Sequence, residues 1–246
     1  MKKYLGKIFA VWGIISFLIF IFPVALILWI IGLIPEPKRT RVFRITVNVW
    51  MRIWLFLIGS RLKIKGKENF AKGKNYIITC NHNSFMDVVA TTPFIPGPNK
   101  TIAKIELSKI PVFGLIYKRG SVLVDRKDKD SRKDSFAKMK QVLEMGMHMC
   151  IYPEGTRNDS DALLTEFKDG AFKLAEGTGY AIIPTLLFNT KKIMPPKKGF
   201  YLWPATIHLH FLPPVPVNKG DNYLSLKEKV YQIMENYLKE NKAKLK

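Results

Sequence analysis

The sequence predicts an α/β protein with a mixed, mostly parallel sheet flanked by helices, preceded by an N-terminal membrane-embedded two-helix segment. Two observations lead to this prediction. The run from Ile8 to Ile34 has 27 residues and no ionisable side chain, which exceeds the roughly 20 residues that a helix needs to cross a bilayer. After Gly59, short apolar runs alternate with helical stretches, as in a sheet covered by helices. We therefore expect a membrane-anchoring segment over residues 1–58 and an α/β domain over residues 59–246.

The first segment is predicted to stay in the membrane after synthesis. A cleaved signal peptide would have a shorter apolar region of about 7–15 residues and a small-residue cleavage site. Here a "PEPK" stretch follows instead, and basic residues flank both ends of the run, so the flanking charges set no clear orientation. Pro23 interrupts the run, while Arg44 and Arg52 in the following segment suit an interface better than a bilayer centre. The sequence favours a hairpin in one leaflet, on the cytoplasmic face of the inner membrane, over a single crossing.

The remainder of the chain alternates between two periodicities. Short runs rich in β-branched, aliphatic and aromatic residues predict six strands, at Tyr76–Cys80, Lys100–Ala103, Ser121–Val124, Met149–Tyr152, Ala181–Leu187 and Ala205–Leu212. Longer stretches with an apolar residue every three or four positions predict five helices, at Phe85–Thr92, Lys109–Lys118, Lys129–Met147, Ala171–Gly177 and Ser225–Lys242. The last residues, "KENKAKLK", are predicted to form a solvated basic tail.

The charge balance predicts an anionic partner. Lys and Arg total 40 against 19 Asp and Glu, a formal net charge of +21, and such a field attracts acidic surfaces. Nucleic-acid motifs are absent and an apolar segment is present, so a lipid bilayer is the expected partner rather than nucleic acid. The two cysteines, Cys80 and Cys150, lie in apolar strands, where buried free thiols on a reducing cytoplasmic side are expected.

The stretch "YIITCNHNSFMDVVA" places a histidine and a carboxylate together just beyond a predicted strand. His82 lies in the loop, and Asp87 lies five residues later in the first turn of a helix. On a regular helix, two side chains five positions apart would point about 140° away from each other. His82 precedes the helix, however, and can fold back towards Asp87. A carboxylate on one ring nitrogen would leave the other as a general base. The alternative is that Asp87 only supports the helix start while His82 is an ordinary loop residue.

Two other chemistries for this stretch are weaker. Ser84 is the only local nucleophile, but it lacks the Gly-x-Ser-x-Gly elbow and its hydroxyl is expected to cap the helix. A metal could use His82, Asp87 and Glu154, but their spacing matches no known metal motif. We therefore expect neither an acyl-serine nor a metal ion.

A second polar cluster, "YPEGTRN", leaves the strand that ends at Tyr152. It presents a hydroxyl and a guanidinium beside a carboxylate, and arginine suits bidentate recognition of phosphate. Further cations follow other predicted strands or turns, in "KIELSKIPVFG", "GSVLVDR" and "FKDGAF". Their repeated position at strand ends predicts a shared anion site. The candidate binding residues are Glu154, Gly155, Thr156, Arg157, Arg126, Lys168 and Lys104.

These blocks resemble the glycerophospholipid acyltransferases, most closely the bacterial 1-acylglycerol-3-phosphate acyltransferases. "NHNSFMD" is similar to the family's first block, "GSVLVDR" to the second, "YPEGTR" to the third, and "IIPT" around Pro184 to the fourth. The family-like pattern from Lys104 to Gly114 lies between the first two. Departures occur at Tyr152 and Leu123, where phenylalanine is common, and at Thr185, but none removes a reacting group.

The resemblance implies that His82, oriented by Asp87, deprotonates the sn-2 hydroxyl of 1-acylglycerol-3-phosphate, lysophosphatidic acid. That hydroxyl would attack the thioester of acyl-CoA or acyl-acyl carrier protein directly, giving phosphatidic acid for phospholipid biosynthesis without a covalent acyl-enzyme or a cofactor. The resemblance also implies that the "EGTR" residues, Glu154 to Arg157, bind the glycerol phosphate, with Arg126 and Lys168 near the phosphate. Two alternatives stay open: transfer to another lyso-lipid, such as an amino-acid lipid, and noncatalytic binding of acidic lipid.

Overall fold

A computed structural model describes residues 2–218 and 220–245 of the chain. Within these residues, seven strands form one sheet: β1 (Arg61–Lys65), β2 (Ile77–Cys80), β3 (Asn99–Lys104), β4 (Ser121–Val124), β5 (His148–Ile151), β6 (Ile182–Phe188) and β7 (Thr206–Phe211). The α-helices are α1 (Lys2–Ile30), α2 (Lys38–Leu57), α3 (Met86–Thr91), α4 (Phe113–Gly120), α5 (Lys129–Glu144), α6 (Gly170–Thr178), α7 (Thr190–Ile193) and α8 (Tyr223–Asn241).

The sheet has the order β1-β7-β6-β2-β5-β3-β4, and every neighbouring pair is parallel except β6 and β7. The prediction of a mixed, mostly parallel sheet is therefore confirmed. Five strands, from β6 to β4 in this order, have their carboxyl ends at the same edge. In parallel sheets that edge commonly holds the ligand site.

Two local predictions need correction. Sequence patterning missed β1, an edge strand in which charged residues alternate with apolar ones and every residue keeps some exposure. The helix expected from Lys109 begins at Phe113 instead. Pro111 is the reason, because the residue before a proline is biased towards extended backbone, and Ile110 is extended, with φ −70° and ψ 125°.

Helices cover both faces of the sheet. Alternate residues of a strand point to opposite faces, so Ile78 and Ile183 pack into the core beneath α1 and α2, while Ile77 and Ile182 pack against α5, α6 and α8. The N-terminal helices are thus part of the main core. The sheet is sandwiched between them and the C-terminal helices.

The two N-terminal helices form an antiparallel hairpin. Trp12 Nε1 donates to the carbonyl of Leu57 (2.8 Å), Trp54 Nε1 donates to that of Gly13 (2.9 Å), and the ring of Phe17 lies 4.5 Å from that of Trp50. Among the described residues only one helical stretch, Lys2–Leu33, is long and apolar enough to cross a membrane, and 28% of its apolar window is buried against the rest of the chain. The structure therefore has one apolar N-terminal helix, α1, in place of the expected two-helix membrane segment, because α2 is amphipathic and turns its apolar side to the core.

A partly buried ionic cluster attaches the tip of the hairpin to the sheet. Glu36 accepts hydrogen bonds from Lys100 of β3 (2.8 Å), from the Arg39 guanidinium and from the hydroxyl of Thr40 (2.7 Å). Burial by itself would raise the pKa of this carboxyl, but the hydrogen bonds from Lys100, Thr40 and Arg39 outweigh it and lower the pKa to about 2. The hairpin is therefore held to β3 by a carboxylate that is ionised at neutral pH.

Glu36→Gln is expected to lower the melting temperature at pH 7, because it removes the charge that Lys100 and Arg39 surround. A carboxyl with a depressed pKa stabilises the fold above its unfolded value of 4.5, and this stabilisation is lost as the pH falls through about 2. The gap in melting temperature between wild type and variant should therefore narrow between pH 4.5 and 2. A gap that stays constant across this range in scanning calorimetry would contradict the assignment.

Candidate active site

Four loops meet at the carboxyl edge of the parallel strands. His82 follows β2, Glu154 follows β5, Lys104 ends β3 and Arg126 follows β4. Because β2, β5, β3 and β4 are consecutive neighbours in the sheet, residues far apart in sequence are brought together here. The structure thus unites the first three predicted sequence blocks at one site.

His82 and Asp87 form the expected pair. The Nδ1 of His82 lies 2.8 Å from Oδ2 of Asp87, a carboxylate that is fully buried. The same oxygen accepts from the backbone N–H of Ser84 (2.7 Å) and from that of Asn83. A carboxylate at Nδ1 holds the proton on that nitrogen and leaves Nε2 as the basic one. The geometry therefore suits a general base.

Hydrogen bonds also fix the backbone of His82, and Glu154 accepts one of them. Its Oε1 accepts from the His82 backbone N–H (2.6 Å), and its Oε2 accepts from the N–H (2.9 Å) and hydroxyl (2.8 Å) of Thr165. The N–H of Asn158 donates to the His82 carbonyl (2.7 Å). Both oxygens of Glu154 are thus occupied and its side chain is buried. The structure places this predicted substrate contact behind the histidine rather than on the cavity wall.

Glu154→Gln is expected to destabilise the fold by about 1–3 kcal/mol, the cost of leaving one buried donor without an acceptor. The amide can accept at only one of the two positions that now serve His82 and Thr165. Urea denaturation would measure the loss, with Glu166→Gln as the control because Glu166 is exposed. If acceptor KM rises at unchanged stability, Glu154 contacts substrate directly.

The hydroxyl of Ser84 is not available to a ligand. It donates to the carbonyl of Met194 (2.8 Å), accepts from the N–H of Met86 (3.2 Å), and belongs to a fully buried residue. The expectation that this hydroxyl would be occupied holds, but its expected role as the helix cap is wrong, because the N-cap residue is Phe85. Ser84 therefore stabilises the local structure beside His82.

A cavity of about 540 Å³ opens in front of His82. Five of the seven predicted binding residues line it: Lys104, Arg126, Gly155, Thr156 and Arg157. The Arg157 guanidinium stacks on the ring of Phe85 (3.4 Å to the centroid), and Arg126 Nη1 donates to the carbonyl of Gly155 (2.6 Å). Lys168 does not line the cavity, and its exposed ammonium lies 3.4 Å from Glu166.

The rest of the cavity wall is apolar and was not predicted. It comes mainly from α2 and α4, with Val47, Trp50, Met51, Phe113 and Ile116. A signal existed, because apolar residues at positions 47, 50, 51 and 54 follow the spacing of one helix face. The sequence pattern placed this segment at the membrane interface and gave no indication that its inner side would line a site. Arg44, predicted at that interface, also lines the cavity and donates to the carbonyl of Ile95 (3.2 Å).

Tyr152 lines the cavity beside His82. Its ring centroid lies 4.5 Å from that of His82, and burial raises the pKa of its phenol well above the usual value. The phenol is therefore neutral at physiological pH. This ring limits the rotation of the imidazole from one side.

Comparison with known proteins identifies the family. A family model described as "Acyltransferase" matches residues 61–187, which include His82, Asp87 and Arg157. The chain belongs to this acyltransferase family.

Several relatives of this acyltransferase carry the name 1-acyl-sn-glycerol-3-phosphate acyltransferase. The chloroplastic protein of Arabidopsis thaliana is 30% identical over 80% of this chain and 56% of its own length. That of Saccharomyces cerevisiae is 29% identical over 80% and 66%, and that of Borreliella burgdorferi is 30% identical over 73% and 71%. The chain thus spans between 56% and 71% of the length of these relatives.

The acyltransferase also shares its fold with a solved structure. The 1-acyl-sn-glycerophosphate acyltransferase PlsC from Thermotoga maritima superposes with a TM-score of 0.84 at 23% identity, covering 99% of this chain and 98% of that one. The likeness therefore extends beyond the matched family region and includes the N-terminal hairpin.

Proposed function

We propose that this acyltransferase moves a fatty acyl group from acyl-CoA or acyl-acyl carrier protein to the sn-2 hydroxyl of 1-acylglycerol-3-phosphate, forming phosphatidic acid. The observation that carries the proposal is the His82–Asp87 pair at the wall of a cavity that is lined both by cations and by apolar side chains. The names of the relatives support the same acceptor.

The reaction proceeds by direct transfer. His82 Nε2 takes the proton of the acceptor hydroxyl while that oxygen attacks the thioester carbonyl, and Asp87 stabilises the imidazolium that forms. The tetrahedral intermediate then collapses, the C–S bond breaks, and the imidazolium returns the proton to the departing thiolate. No protein nucleophile enters the sequence, in agreement with the buried and occupied hydroxyl of Ser84.

The cavity lining provides for both ends of the acceptor. Arg157, Arg126 and Lys104 supply positive charge for the phosphate, and a guanidinium offers paired donors to phosphate oxygens. The apolar residues of α2 and α4 supply a surface for acyl chains. An acceptor placed between these two parts would bring its hydroxyl towards His82.

The test is product analysis with purified protein. Acyl-CoA and acyl-acyl carrier protein would each be offered with a panel of lyso-lipids, with and without phosphate, and the products identified by mass spectrometry. We expect phosphatidic acid carrying the donor chain at sn-2. Exclusive acylation of an amino-acid lipid, or no thioester consumption with any acceptor, would refute the proposed function.

We further propose that the hairpin anchors the enzyme in the cytoplasmic leaflet of the inner membrane without crossing it. The N–H of Leu202 donates to Gly6 near the start of α1 (3.0 Å), and the Arg119 guanidinium packs against Gly32 just after its end, leaving no room for a Cβ. Both ends of the apolar segment thus contact the α/β domain. Its outward side exposes large apolar residues, among them Ile8, Ile19, Phe22, Trp29 and Leu33.

A cysteine at position 2 is expected to react with a membrane-impermeant maleimide in inverted vesicles and not in intact cells. Lys2→Cys suits this measurement because the native thiols, Cys80 and Cys150, are buried. A cysteine introduced at exposed Lys133 on α5 serves as the cytoplasmic control. Labelling of Lys2→Cys from outside intact cells would mean that the N-terminus has crossed, and the leaflet hairpin would have to be abandoned.

A further inference from the structure

A second cleft, of about 440 Å³, lies apart from the acyl-transfer cavity and shares no lining residue with it. It is formed where β1, β7 and the end of β6 meet the C-terminal tail. Its polar lining is Lys63, Lys192, Lys244, His208, Asn189 and Thr206. No acidic side chain is among the described residues that line it.

The cleft faces away from the hairpin. Lys63 and His208 are paired in register across β1 and β7. Ile207 and Leu209 flank His208 and point into the core beneath the hairpin, and Leu62 and Ile64, which flank Lys63, pack against the same core. By strand alternation Lys63 and His208 therefore project from the opposite face. The cleft therefore opens on the side of the sheet that α8 covers, not on the side of the apolar helices.

The C-terminal tail is held in place at this cleft. The side chain of Asn189 donates to the carbonyls of Thr206 (2.9 Å) and Leu245 (2.7 Å), while its own backbone adopts a left-handed conformation with φ of 70°. Lys244 is thereby kept at the rim. The predicted solvated basic tail is exposed at Lys242 and Lys244, and one long-range hydrogen bond, from Asn189 to Leu245, attaches it to the end of β6.

The lysines of this cleft, Lys63, Lys192 and Lys244, have no acidic ion-pair partner in the part of the chain that the structure describes. Burial, followed by the charges of Lys63, Lys65 and Lys192, lowers the pKa of His208. Like charges that converge without a counter-ion repel one another, and a bound anion would relieve that repulsion.

We propose that this cleft binds a phosphate group of an anionic ligand. Lysine ammoniums are suitable phosphate ligands, and the volume falls within the roughly 300–1,000 Å³ of small-molecule sites. Its orientation away from the apolar hairpin favours a soluble phosphate compound over a lipid headgroup. The cleft is close to the catalytic loop, because Lys192 lies on the four-residue helix α7 and Met194, just beyond the end of that helix, accepts from Ser84.

The test compares two triple variants of the full chain, kept in detergent for the soluble probe and diluted below the critical micelle concentration for the lipid probe. Lys63→Ser/Lys192→Ser/Lys244→Ser removes the lysines of the cleft, and Lys129→Ser/Lys133→Ser/Lys138→Ser removes the same charge from the exposed side of α5. The soluble probe is adenosine 3′,5′-bisphosphate, followed through the imidazole nuclear magnetic resonance signals of His208. The lipid probe is cosedimentation with phosphatidylglycerol vesicles.

We expect the bisphosphate to raise the His208 pKa in wild type and in the control variant. In the cleft variant it should bind about tenfold more weakly, as the loss of three modest surface interactions implies. If the cleft variant instead loses vesicle binding relative to the control and keeps the bisphosphate response, the phosphate comes from a lipid headgroup and the site still stands. Equal behaviour of both variants with both probes would overturn the proposal. Circular dichroism would establish that both variants are folded.

Discussion

His82→Ala is expected to lower kcat by about 10²–10⁴-fold, the usual contribution of general acid–base catalysis. The imidazole is the basic group on the cavity wall that Asp87 holds in one tautomer. Without it, the acceptor hydroxyl must lose its proton to water. The measurement is thioester consumption at saturating acceptor, in preparations whose circular dichroism and membrane attachment match those of wild type.

The matching variant Asp87→Asn should be nearly as damaging, because an amide can donate to Nδ1 and so stabilise the wrong tautomer. Asp87 is fully buried and also accepts a hydrogen bond from the backbone N–H of Ser84. The stability of the Asp87→Asn protein must therefore be checked by denaturation. Lys133→Ala serves as the control because Lys133 is exposed on α5 and lines neither the cavity nor the basic cleft. Turnover close to wild type in a folded His82→Ala protein would refute the general-base mechanism.

Arg157→Ala is expected to raise the acceptor KM by roughly 10–150-fold with a much smaller effect on the donor. Losing one partner of a charge-assisted hydrogen bond costs about 1.5–3 kcal/mol, which corresponds to that range of affinity. The guanidinium lines the cavity and its plane rests on Phe85. Initial rates measured against lysophosphatidic acid and against acyl-CoA would separate the two substrates.

Arg157→Lys should recover only part of the loss, since an ammonium lacks the paired donors of the guanidinium. Arg61→Ala, at an exposed position on β1, controls for the change in net charge. Acylation of monoacylglycerol, which has no phosphate, should be insensitive to Arg157. A mutant that loses donor affinity while its acceptor KM is unchanged would reassign this arginine to the thioester.

The sequence by itself determined the parallel part of the sheet and the placement of the reacting groups. Buried strands are marked by short apolar runs, and polar motifs directly after them must lie at the carboxyl edge if the strands are parallel. The parallel direction of the strands is therefore enough to bring His82, Arg126 and Arg157 to one edge. The His82–Asp87 contact was also within reach, because it joins residues in one loop and the following turn.

Only the tertiary structure decided what the remaining residues do. Glu154 and His82 are 72 positions apart, and nothing local shows that the carboxylate would support the histidine backbone. Likewise, sequence patterning does not show that the inner side of α2 lines the cavity or that Lys168 lies outside it. It also does not show that Asn189 binds the basic tail. Periodicity tells which side of a helix or strand is apolar, but the partner that covers that side is chosen by packing between distant segments.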